Sequence, residues 1–250
     1  MSEDAWREAM ACRADPSACE AIALEIESAL PLDPLAAGAR LRALRAVLGE
    51  GGAWRVLGPR LERLGALLAE AAFRATEMLE EGAGSAEDLA VLVEAALEAG
   101  AGDVSGRLVE LAGRECSRGG GGLGALLGPL LRLPAQAWAG LAGALASCPG
   151  FLGEVALGLA VERGAEALAN WREFSAVLEA VLGRAAELAD ERPEEALALY
   201  AEANSSLSAL RGAAEGTGRA GEYLELRRAL DPLVREVSSR IWSALRRRAA

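Results

Sequence analysis

The chain has 250 residues, of which 52% are hydrophobic, 25% charged and 4% aromatic, with no His and a formal net charge of −11. This composition is globular and excludes collagen-like, disordered and small disulfide-framework proteins. All 26 basic residues are Arg, so the usual general base, the Schiff-base amine and the commonest metal ligand are all missing.

The acidic balance disfavours nonspecific binding to a phosphate polymer by the molecule as a whole, because that affinity comes from cations neutralising phosphates. Residues 1–13 carry Glu3, Asp4 and Glu8 with no apolar stretch behind a basic start, so no secretory signal is read there and the expected location is the cytoplasm. Replacement of every Lys by Arg, with few side-chain amides, suits a GC-rich genome and a thermophile.

β-Branched residues are scarce, period-two alternation is absent, and Ala, Leu, Glu and Arg dominate. An all-α fold of about ten helices in antiparallel hairpins is predicted, as a helical bundle or a short α-solenoid. Ser17-Ala-Cys-Glu20 has the form of a capping box opening a helix to about Leu30, and Asp33-Pro34 opens the next, ending near Gly49. Pro59 starts a helix to about Glu81 with a heptad seam from Leu57 to Met78. Ser85 with Asp88, and then Asp103, introduce two helices that make a hairpin over residues 85–117. Gly119 to Gly122 follow, and four glycines cost too much backbone entropy to remain helical. They mark a hinge between an N-terminal half, 1–118, and a C-terminal half, 123–250, which could also form one continuous domain.

From Gly119 to Gly153 the only charge is Arg132. The stretch after it is rich in Ala and Gly and contains Pro134 and Pro149, so it is expected as a buried core helix and not a membrane span. Asn170 caps a helix whose seam is Trp171, Phe174, Leu178, Val181, Ala185 and Leu188. Pro193 opens another to about Arg211, Gly212 to Gly218 read as a loose connection, and the last helix starts near Gly221. Its seam is Leu230, Val234, Val237, Ile241 and Ala244, with Pro232 as an interruption.

Within residues 193–203, Ala196, Tyr200 and Ala203 resemble the second helix of a tetratricopeptide repeat, in which small residues let an aromatic pack on the neighbouring helix. The likeness stops there. Arg184 stands where the preceding helix of that family carries a small residue, and no second copy follows, so the family's peptide-binding role is not carried over.

Cys116 and Cys148 are expected as buried small side chains. Cys12 and Cys19 flank Asp15-Pro16; a chain reversal there would bring their sulfurs within bonding range, whereas one helix would hold them about 10 Å apart, and a disulfide is not the favoured reading. The adjacent acids Glu80-Glu81, Glu87-Asp88 and Glu194-Glu195 do not face each other on a helix and suit first-turn positions or solvated surface. The glycine run lacks the Lys and preceding strand of a phosphate loop. No catalytic, cofactor-binding or metal-ligating residue is assigned, and no cofactor is expected.

The charge is unevenly spread: residues 219–250 hold eight Arg against four acids, a formal +4, which leaves −15 on the remainder. Arg240, Trp242, Arg246, Arg247 and Arg248 are the candidate contacts for phosphate or a partner. A terminal role complementing the helix dipole is the plainer alternative. The functional expectation is a non-catalytic scaffold or adaptor acting through protein contacts. A nucleic-acid-associated subunit using the C-terminal helix comes second, and a carboxylate and Mg²⁺ enzyme third.

Overall fold

A computed structural model describes residues 3–49, 86–98, 103–120 and 122–249, together with positions 52, 56, 67–72, 74, 75 and 78. The fold is all-α: among the described residues there is no strand. The helices with stated bounds are α1 (Glu3–Ala14), α2 (Pro16–Ala29), α3 (Pro34–Leu48), α4 (Ala86–Glu98), α5 (Asp103–Ser117), α6 (Leu123–Leu131), α7 (Trp138–Ala144), α8 (Pro149–Glu162), α9 (Gly164–Ala169), α10 (Trp171–Leu188), α11 (Pro193–Thr217) and α12 (Ala220–Ala249), with a 3-10 turn at Ala135–Ala137. Contacts group the chain into two compact units: residues 1–108 with 124–132, and residues 109–123 with 133–250.

In the first unit, α2 starts two residues earlier than the Ser17 capping box implied. The Asp15 carboxylate accepts from the Ser17 N–H (2.9 Å) and the Ser17 hydroxyl (2.7 Å), so Asp15 is the cap and Pro16 follows in the first turn. The hydrogen bonds to its charged form hold the Asp15 carboxyl below the usual carboxylate range. At α3 the expected cap is present: Asp33 accepts from the Ala36 N–H (3.0 Å), and Gly49 ends the helix at a φ of +73°. Ala5 and Ala9 of α1, Ile22 and Ile26 of α2, and Leu41 and Leu44 of α3 are buried together with Leu30. Arg40 joins the three helices from the side, pairing with Glu8 at 3.0 Å and Glu25 at 3.4 Å. Leu57, Leu61 and Leu64 of the seam proposed from Leu57 to Met78 lie outside the described residues, as do Ser85 and Gly100; of the rest, Leu68, Ala71 and Ala75 are buried.

The second unit is built around α8, α10, α11 and α12, which pack on one another. The α10 seam from Phe174 to Leu188 is buried, as is the α12 seam from Leu230 to Ala244. Ala196 and Ala203 of α11 are buried as well. Two expected interruptions are absent. α11 continues through Gly212 and Gly216 and stops only at Gly218, which takes the left-handed conformation with φ +71°. α12 runs through Pro232 without ending. Burying Leu207, Leu210 and Ala214 on α11, and Leu226, Leu230 and Val234 on α12, offsets the helix-breaking cost of these residues.

The expected core helix at 133–153 is instead broken. A turn at residues 145–148 separates α7 from α8, and Pro149 stands in the first turn of α8, where its missing N–H costs nothing. Among the described residues no helix is long and apolar enough to cross a membrane. Asn170 occupies the position before α10, but its amide donates back to the Glu166 carbonyl (3.0 Å), so its side chain closes α9 and does not cap α10.

Trp138 anchors this unit. Fully buried, it meets Phe174 edge-on at 6.0 Å, and its indole N–H donates to the Leu133 carbonyl at 3.1 Å. Arg163 donates to the same carbonyl, pairs with Glu166 at 2.6 Å and lies 5.4 Å from the Trp138 ring centroid. The carbonyl just ahead of Pro134 is thereby satisfied although the chain leaves regular helix there.

The cysteines also depart from the expectation. Cys12 and Cys19 form a disulfide across the Asp15-Pro16 reversal, with Cα atoms 4.4 Å apart, and Cys116 and Cys148, expected as unbonded small side chains, form a second one with Cα atoms 5.7 Å apart. Gly119 and Gly120 close α5 with positive φ values of +102° and +78°: the Gly120 N–H reaches the Glu115 carbonyl and the Gly119 N–H the Cys116 carbonyl. That pattern is a Schellman cap, which sets Cys116 one turn before the reversal.

Candidate interaction surface on the C-terminal helix

The candidate contacts all lie on α12, whose 30 residues span about 45 Å at the usual helical rise. The helix ends beside the turn joining α10 and α11. Arg247 pairs there with Asp190 at 2.6 Å, and Arg248 with Glu194 at 3.1 Å, while Arg248 also donates to the Glu191 carbonyl. α12 therefore runs antiparallel to α11. Arg240 is held within its own helix by Glu236 at 2.9 Å.

The five proposed residues thus separate into two groups. Arg240, Arg247 and Arg248 are engaged by carboxylates of this chain. Trp242 is 52% exposed, and among the described residues the Arg246 side chain reaches only the Trp242 carbonyl, at 3.2 Å through Nε. Glu194, read in the sequence as a first-turn acid, does sit in the first turn of α11 and is also a partner for Arg248.

Two residues of the same helix were not singled out in the sequence. Leu224 is 54% exposed. Arg235 is exposed and makes no ion pair among the described residues. The signal that could have found them is helical register: Leu224 and Trp242 are 18 residues apart, five full turns, so they share one side of α12.

Elsewhere in this unit, one carboxylate stands out. Glu202 on α11 has its Oε2 atom buried without a hydrogen-bond partner among the described residues. Burial, and then the nearby Glu154 carboxylate of α8, push its carboxyl above the usual value. The two acids are brought together from different helices, so sequence spacing alone did not pair them. Glu202 is pressed against Gly153, which leaves no room for a reacting group on that side. Among the described residues there is no group of three or more ligand side chains that could hold a metal ion.

No protein-family model matches the chain, and no curated protein or solved structure matches it.

Proposed function

We propose that the protein is a helical scaffold or adaptor that works by contact with another protein. The observation that carries this reading is the outer side of α12, which presents Leu224 and Trp242 at 54% and 52% exposure on one side of a single long helix. Large apolar side chains aligned along a helix are the elements from which helix-to-helix recognition is built.

A second reading, contact with nucleic acid, draws support from Trp242 with Arg246 one turn away, since an aromatic beside a guanidinium can stack a base and meet its phosphate. The pairing of Arg240, Arg247 and Arg248 with acids of this chain weighs against it, because those charges are already neutralised.

The cytoplasmic location belongs to the same proposal and carries a condition. Two disulfides must persist there against thiol reductants, as they do in intracellular proteins of hyperthermophiles. The scarcity of Asn and Gln fits that setting.

The deciding experiment is cross-linking in cells followed by purification of the intact chain, with alkylation at lysis to record the state of the cysteines. A stoichiometric protein partner supports the reading. Its absence, together with turnover on a metabolite panel, reverses it in favour of an enzyme.

A further inference from the structure

We propose that Leu224, Arg235, Trp242 and Arg246 form one docking stripe on α12 that receives an acidic amphipathic helix of a partner protein. This rests on the protein-contact reading above and names the partner's chemistry.

The stripe follows from helix geometry. Residues 11, 18 and 22 positions beyond Leu224 return to nearly its side of the helix after about three, five and six turns. Those positions are Arg235, Trp242 and Arg246. All four are exposed, and the line from Leu224 to Trp242 is about 27 Å long at the helical rise.

Its charge follows from which arginines are already neutralised. In residues 219–250, Arg219 pairs with Glu222, Arg227 with Asp231, Arg228 with Glu225, Arg240 with Glu236, Arg247 with Asp190 and Arg248 with Glu194. Arg235 and Arg246 make no ion pair among the described residues. The two α12 cations without an ion pair among the described residues therefore both lie on the side that carries Leu224 and Trp242.

A helix with an apolar seam flanked by Glu complements this pattern. The seam covers Leu224 and Trp242 while the flanking carboxylates meet Arg235 and Arg246, as charges beside the seam do in paired helices. A phosphate polymer fits less well, because two cations without an ion pair release few counterions, whereas the helix also covers the apolar Leu224 and Trp242. An anionic membrane surface calls for basic clusters of about four to eight residues.

The test uses the full chain and a fluorescein-labelled three-heptad peptide with Leu at positions a and d and Glu at e and g, whose like charges oppose its self-pairing. Its binding is followed by anisotropy beside a Lys-flanked version, a poly-dT oligonucleotide and phosphatidylserine vesicles, with sedimentation to detect self-association. Saturable binding of the Glu peptide is expected, weakened about tenfold or more by Trp242→Ala and by Arg235→Glu with Arg246→Glu. The charge-reversed chain should in turn gain binding to the Lys peptide. Circular dichroism verifies that each variant keeps its helix content.

Absence of saturable binding, indifference to these substitutions, or tighter binding to the oligonucleotide, the vesicles or a second copy of the chain would overturn the proposal. A cellular partner retained in full by the variant carrying all three substitutions would remove this stripe and leave the scaffold reading intact.

Discussion

Glu202 on α11 lies so close to Gly153 on α8 that a methyl group at residue 153 would collide with its carboxylate. The absent Cβ is what lets the two helices enclose a carboxyl oxygen, and that oxygen finds no hydrogen bond among the described residues. Burial and the Glu154 charge both disfavour the ionised form, so the folded carboxyl titrates above the unfolded one.

A group raised in this way contributes stability that is fully present below the unfolded value, about 4.3, and is lost as pH rises through the raised folded value. Glu202→Gln removes the titration. Its advantage in melting temperature over the parent should therefore grow as pH is taken from about 4 to about 7. Thermal melts across that range check this, and a difference independent of pH would refute the burial account.

Asp15 titrates in the opposite sense. Its carboxyl is lowered by the hydrogen bonds from the Ser17 hydroxyl and N–H, so its contribution is present above the unfolded value and lost as pH falls through the lowered folded one. Asp15→Ala should lower the melting temperature at neutral pH, with the gap closing on acidification. Amide exchange at Ser17, whose N–H the carboxylate accepts, should quicken in the same variant.

The two disulfides close loops of very different length, with sequence separations of 7 and 32. Loop-closure entropy assigns about 2.5 kcal/mol to the shorter and about 3.7 kcal/mol to the longer. Cys116→Ser with Cys148→Ser should accordingly destabilise more than Cys12→Ser with Cys19→Ser in urea unfolding. Thiol titration of the native, unreduced chain should find no reactive cysteine, in keeping with the absence of a free one.

Trp138→Phe removes the indole N–H from the Leu133 carbonyl and leaves a gap beside Phe174. Because Arg163 still donates to that carbonyl, a loss of about 0.5–1.5 kcal/mol is expected from the hydrogen bond, with a further contribution from the cavity. Trp242→Phe, at an exposed position, should change stability by no more than about 0.5 kcal/mol. Equal effects of the two substitutions in urea unfolding would contradict the buried placement of Trp138.

The all-α class, the Asp33-Pro34 start and Gly49 stop of α3, and the seams of α10 and α12 were legible in the sequence. Each is written locally, in a cap, a stop or a repeat of apolar residues every three or four positions. Three features were decided only by tertiary structure. Gly212, Gly216 and Pro232 stay inside helices because neighbouring helices bury the apolar residues around them, and that gain outweighs about 1 kcal/mol for each Gly and about 3 kcal/mol for Pro. The cysteine pairing depended on where the reversals at Asp15-Pro16 and residues 145–148 set the sulfurs. On α12, composition showed an excess of arginine, but which of those arginines remain unpaired depended on acids more than 50 residues away in sequence that packing brings beside Arg247 and Arg248. Periodicity along one chain records which side of a helix is apolar; it carries no record of which distant carboxylate will stand opposite a given guanidinium, because that distance exists only once the helices have packed.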